Sequence, residues 1–172
     1  MSIFTPSPGC QEEDAVSDQA QAEAIEQIKQ LKARYFRGVD LKDFTLLRAV
    51  FTDDAVADYR NAAVDPPSGI RLLDGLSEDL ILGGETIARW IIDSMQPIVS
   101  VHHGHMPEIA LTGPDSASGI WAMEDRLYFP VGGALAGIVG FGHYYETYAR
   151  IGDNWKIKTI RLVRLKVDAM QS

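Results

Sequence analysis

A chain of 172 residues has the length of one domain, and 46% hydrophobic with 23% charged residues is a globular composition, which excludes a disordered chain, a collagen-like fibre and a disulfide scaffold. Sixteen Lys and Arg against 24 Asp and Glu leave a net charge of −8 with no basic cluster, so no nucleic-acid partner is expected. No apolar run approaches the roughly 20 residues that span a bilayer, no signal-like segment opens the chain, and the single Cys10 has no internal disulfide partner; a cytoplasmic protein without membrane contact is expected.

Residues 1–16 combine prolines, Ser and Thr with an acidic trio and show no periodicity, which predicts a flexible tail ahead of a single domain over 17–172. Ser17 is the expected N-cap of a first helix running to Gly38, with apolar residues at Ile25, Ile28, Leu31, Tyr35 and Val39. A short second helix is expected over 44–51, because Phe44, Leu47 and Phe51 recur at helical spacing. A brief strand follows over 55–59. The glycine- and proline-rich stretch 61–84 is expected as a long loop with a helical turn near Leu80, and loops of that length are commonly lids or binding loops. Helical spacing returns from Glu85 to Met95 and stops before Pro97.

Four long apolar-rich runs, 98–111, 116–129, 137–150 and 155–167, then alternate with the turn signals Thr112-Gly113-Pro114-Asp115, Val131-Gly132-Gly133 and Gly152-Asp153-Asn154. Helices first and an antiparallel meander last predict an α+β fold, with a curved antiparallel sheet wrapped around the N-terminal helices to leave a cone-shaped hollow.

Three of the four histidines lie in Val101-His102-His103-Gly104-His105. Strand alternation sends His102 to one face and His103 with His105 to the other, so a shared metal would require a bulge near Gly104, and no metal is expected. His103 and His105 read as surface or interface residues, whereas His102 is a candidate for the hollow. On the first helix Tyr35 falls within the apolar stripe and Asp40 on its edge, turned partly inward. A turn cap is the alternative for Asp40, and core packing the alternative for Tyr35 and Tyr59.

The run Ile28-x-x-Leu31-x-x-x-Tyr35-Phe36-x-x-Val39-Asp40, followed by Asp43-Phe44 and Phe51-Thr52-Asp53-Asp54-Ala55-Val56, resembles the opening of SnoaL-like proteins in the nuclear transport factor 2-like superfamily. The segments 102–105, 119–125, 142–148 and 154–157 resemble that family's sheet, so the similarity covers about residues 20 to 168. The branch it resembles most contains scytalone dehydratase, bile-acid 7α-dehydratase and hexachlorocyclohexane dehydrochlorinase. That resemblance implies an Asp40–His102 dyad, with Tyr35 and Tyr59 as catalytic partners and an arginine from the last strand, Arg164 or Arg161. His103, Trp121 and Tyr144 are expected, with Arg164, to contact substrate. His102 and His103 remain alternatives for the base, since a one-residue slip reverses a strand's faces.

A neutral imidazole is a suitable general base near neutral pH, an aspartate on its far nitrogen sets the tautomer, and phenols can donate to a substrate oxygen. This chemistry needs no cofactor, and the sequence carries no dinucleotide or phosphate loop. The expected function is a cofactor-free lyase or isomerase, dehydratase-like, acting on a small hydrophobic, hydroxylated ring substrate. The alternatives are a non-catalytic small-molecule-binding module and a polyketide-type cyclase. Outward-facing apolar residues, some of Trp121, Met123, Leu127, Tyr145, Val163 and Leu165, predict a homo-oligomer, a trimer or dimer.

Overall fold

The computed structural model describes residues 8–73 and 79–171, with side chains from residue 18 onward. Helix α1 spans Pro8–Leu41. It begins upstream of Ser17, which is therefore not its cap. Of the tail expected over 1–16, residues 1–7 lie outside the described residues and the rest continues α1. Ile28, Leu31, Lys32, Tyr35, Phe36 and Val39 form its buried stripe, at the three- and four-residue steps that keep side chains on one helical face.

The end of α1 is a Schellman turn. Lys42 adopts φ 56°, its N–H donates to the Val39 carbonyl at 3.2 Å, and the Asp43 N–H donates to the Gly38 carbonyl at 3.0 Å. A left-handed lysine costs about 1 kcal/mol, and its ammonium offsets this by donating to the Asp40 carbonyl and to Ser100 Oγ, both at 3.1 Å. Asp43 then caps α2 (Phe44–Ala49) by accepting from the Leu46 N–H at 2.9 Å. This helix is shorter than its apolar spacing suggests because Phe51 is recruited into β1 (Phe51–Asp58).

The expected loop over 61–84 contains three two-residue strands, β2 (Val64–Asp65), β3 (Ile70–Arg71) and β4 (Ile81–Leu82). Leu80 leads into β4 and forms no helical turn. Asp65 ties the segment down: its carboxylate accepts from the Ser68 hydroxyl and N–H, from Lys166 Nζ and from the Val167 N–H. Helix α3 (Gly84–Met95) buries Ile87, Ala88, Ile91 and Ile92. The four long strands are β5 (Val99–Gly113), β6 (Ser116–Tyr128), β7 (Leu135–Ile151) and β8 (Asn154–Gln171).

The six-stranded sheet has the order β4-β1-β8-β7-β6-β5. The meander is antiparallel as expected, but β1 runs parallel to β8, so the sheet is mixed. β1 precedes the meander and is joined to β8 only through α3 and strands β5 to β7, a long crossover of the kind that parallel neighbours need. The helices pack on the sheet's inner face around one large apolar core. Trp121, Met123 and Leu127 point into the interior and not outward, because β6 alternates from Ala117 with its odd-numbered residues buried; Tyr145 and Leu165 are exposed. Among the described residues, no helix is long and apolar enough to cross a membrane.

Candidate active site

Strand alternation on β5 turns Ser100 and His102 inward and leaves His103 and His105 exposed. Ser100 and His102 face the last turn of α1. There Asp40 Oδ1 lies 2.6 Å from His102 Nδ1, and Oδ2 accepts the His102 backbone N–H at 3.0 Å. Ser100 Oγ donates to Oδ1 at 2.9 Å. Burial opposes ionisation of Asp40, but the bonds from His102 and Ser100 outweigh it and hold the carboxyl below its ordinary value. The Asp40 side chain thus serves β5 instead of capping its own helix. An ionised Asp40 fixes the proton on Nδ1 and leaves the Nε2 lone pair for chemistry.

Two packing features set the ring. Phe36 stacks on His102 with centroids 6.1 Å apart and an 18° interplanar angle. Phe36 reaches that position because Gly104 has no side chain: a Cβ there would lie 2.6 Å from Phe36 Cε2.

His102 lines a cavity of about 60 Å³. Val39, Trp90, Ile91, Met95, Leu127, Ile138 and Leu162 make most of its wall apolar, with Ala62, Ala63 and Leu73 closing it from the 61–84 segment. The polar groups lining it are few. Tyr35 and Tyr59 share a hydrogen bond of 2.9 Å between their hydroxyls, and the Tyr144 ring meets Tyr35 edge-on with centroids 6.0 Å apart. Burial raises all three phenols well above their ordinary value, so they remain protonated. Tyr59 is held by a parallel stack on Trp90, centroids 5.5 Å apart.

The other polar lining is a buried ion pair. Arg164 Nη2 donates to Asp125 Oδ2 at 2.7 Å, and Arg164 Nε donates to the Ala62 carbonyl at 2.7 Å. Asp125 Oδ2 also stands 3.9 Å from His102 Nε2, so the imidazole lies between two carboxylates. Asp125 Oδ1 is buried with no hydrogen-bond partner. Asp125 is absent from the expected site residues. It arrives because the β5–β6 register sets it directly opposite His102, past an irregularity between Gly104 and Pro107 that the sequence does not announce.

The structure thus brings His102, Tyr35, Tyr59, Tyr144 and Arg164 to one cavity, with Asp40 behind His102 at its Nδ1. Arg161 is not among them: its side chain is 65% exposed and lies 3.7 Å from Asp58. His103 is turned to the outer face, where Nδ1 is 3.2 Å from Glu124, because it alternates with His102. Trp121 is core, its indole N–H donating to the Tyr148 hydroxyl at 2.8 Å, and it does not line the cavity. Among the described residues, no group of three or more His, Cys, Asp or Glu is placed to hold a metal ion.

The same arrangement of helices and sheet occurs in solved structures. A type 2 hexachlorocyclohexane dehydrochlorinase, LinA, superposes with a TM-score of 0.72 at 17% identity, covering 90% of this chain and 94% of its own. A scytalone dehydratase-like protein from Novosphingobium aromaticivorans superposes with a TM-score of 0.71 at 13% identity, covering 90% and 93%. At those identities the likeness is one of fold. In sequence, the probable cyclase FGR4 of Gibberella zeae is 24% identical over 151 residues, 83% of this chain and 92% of the relative. Residues 20–161, from within α1 through most of the sheet, match the SnoaL-like domain family, and the chain belongs to that family, of the nuclear transport factor 2-like type.

Proposed function

We propose that the protein is a cofactor-free lyase or isomerase that removes a proton from a hydrophobic, hydroxylated ring substrate, with loss of water as the favoured outcome. The observation that carries this reading is the 2.6 Å Asp40–His102 contact at the wall of an apolar cavity that also presents three protonated phenols. His102 Nε2 takes the proton from a carbon next to a carbonyl. The C–H pair becomes the new double bond, and the C–O bond to the departing hydroxyl breaks. That hydroxyl leaves as water, with a proton supplied by a phenol or returned by the imidazolium. Asp40 and Asp125 flank the imidazolium and favour its charge, while Tyr35 or Tyr59 donates to the carbonyl oxygen as it gains negative charge. Arg164 holds Asp125 in place through the 2.7 Å contact of its Nη2 with Oδ2.

The family's breadth agrees with acid–base elimination: among the similar proteins, one is named for loss of HCl and another for loss of water. The likeness to a cyclase supports a second reading, in which the same base opens a ring closure by abstracting a proton. A screen of hydroxysteroids and hydroxylated aromatic ketones for loss of water identifies a substrate. With it, His102→Ala is expected to lower kcat by about 10²- to 10⁴-fold, the usual worth of a general base. Retention of activity within a factor of about two would remove His102 from the reaction. Tight binding of the screened compounds without turnover would make the protein a binding module.

A further inference from the structure

Behind the phenol cluster lies a charged pair that the elimination does not use. Lys32, on α1, is 1% exposed, and its ammonium pairs with Glu146 of β7. Glu146 is itself anchored: Oε2 accepts the Tyr148 hydroxyl at 2.5 Å, and the Tyr148 hydroxyl oxygen accepts the Trp121 indole N–H. One N–H of the ammonium serves Glu146. Around it stand three aromatic rings, with Nζ 3.6 Å from the Tyr144 centroid, 4.2 Å from that of Tyr35 and 4.7 Å from that of Phe36. This is a cage of the kind that holds a cation over ring faces. Two of its rings carry hydroxyls that line the cavity, and the third stacks on His102.

A buried lysine–glutamate pair is weak evidence for stability, since apolar residues of the same volume often serve a core as well. Its position bears on something else. A positive charge against a phenol's ring face draws electron density from the oxygen, which makes the O–H more acidic and a stronger hydrogen-bond donor. We propose that Lys32 is a positioning residue of the candidate active site: its caged ammonium polarises Tyr35 and Tyr144 so that their hydroxyls bind a substrate oxygen that gains negative charge, as a carbonyl does on becoming an enolate. The functional half of this proposal rests on the lyase reading. The electrostatic coupling between Lys32 and the two phenols does not.

Burial lowers the Lys32 ammonium to about 8, against the opposing pull of Glu146. The groups around it are Tyr35 from α1, Glu146, Tyr144 and Tyr148 from β7, and Trp121 from β6, with Tyr59 of the β1 end beyond Tyr35. The cage cation is therefore present at neutral pH and lost as pH rises through about 8.

The test is NMR of the full chain carrying 13C at the tyrosine Cζ positions. The Tyr35 and Tyr144 signals are expected to move together through a transition near pH 8 as the cage cation is lost, whereas exposed Tyr128 and Tyr145 do not follow it. In Lys32→Met combined with Glu146→Gln, which leaves no unpaired charge, that transition should vanish and both signals should already be displaced at neutral pH. Signals of Tyr35 and Tyr144 that stay constant between about pH 6 and 9 in the native protein would overturn the proposal, whether or not the double variant folds. So would a folded double variant with unchanged signals. Once a substrate is known, the double variant should lose about tenfold in kcat with little change in KM. If His102→Ala leaves turnover intact, the lyase reading fails while the NMR result still decides the coupling.

Discussion

Asp40 grips His102 at two points: one carboxylate oxygen meets the ring at Nδ1 and the other meets the same residue's backbone N–H. A single contact would leave the imidazole free to turn, whereas two fix both the ring's tautomer and the strand that carries it.

Asp40→Asn therefore tests orientation separately from the base. An amide can satisfy the backbone N–H but offers no negative charge to the imidazolium and permits the wrong tautomer. Steady-state kinetics on a dehydrated substrate should show kcat reduced by about 10²-fold or more, with the fold retained by circular dichroism. A variant as active as the native protein would dissociate Asp40 from the chemistry.

Gly140 has no side chain where a Cβ would fall 2.5 Å from Asp125 Oδ1 and closer still to Arg164 Nη1. The buried pair lies flat against β7 only because that space is empty. Gly140→Ala should push the pair toward the cavity, weakening binding and turnover and costing about 1–3 kcal/mol in chemical denaturation, the range for overpacked cores. An unperturbed midpoint together with native activity would show that the pair has room to move.

Asp65 links the cavity's outer segment to β8, and its carboxyl is held at about 2, by the Ser68 hydroxyl first and then by the Val167 N–H. Its folded value lies below the ordinary aspartate value of about 3.9, so the stabilisation is complete above that pH and is lost as pH falls through about 2. Acid titration should show the 61–73 segment exchanging its amide hydrogens faster in this window. In Asp65→Asn the segment should already be loosened at neutral pH, and exchange indistinguishable from native would refute the anchoring role.

The outer sheet face leaves Leu165 57% and Tyr145 44% exposed, with Phe141 and Val101 also uncovered. We expect a homo-oligomer to bury them, since self-association through a symmetric apolar patch removes such surface from water. Light scattering should return a dimer or trimer mass, and Leu165→Lys should reduce it. A monomer at micromolar concentration would contradict this.

The local features of the chain were legible where a period or a spacing carries the information. The helical stripe put Tyr35 inward with Asp40 at its edge, and strand alternation separated His102 from His103 and His105. Turn signals divided the meander into its four strands. Short strands β2, β3 and β4 were not legible, because a two-residue strand exists only through the partner it meets, as Ala57 of β1 meets Ile81. Nor was the inward direction of Trp121, since apolar residues on a long strand do not say which face is covered.

Asp125 and Lys32 mark the boundary most clearly. Each is a charged residue that falls on the buried face of its own element, and nothing near either in sequence reveals what pairs the charge there. Asp125 becomes part of the site through a register shift in β5 that sets it opposite His102, and through Arg164, which comes from two strands away. Lys32 becomes a caged cation only when β7 brings Glu146 and Tyr144 against α1. Periodicity reports how a residue sits on its own element. Which charge can be buried depends on a partner more than 100 positions distant for Lys32, and only folding supplies that partner.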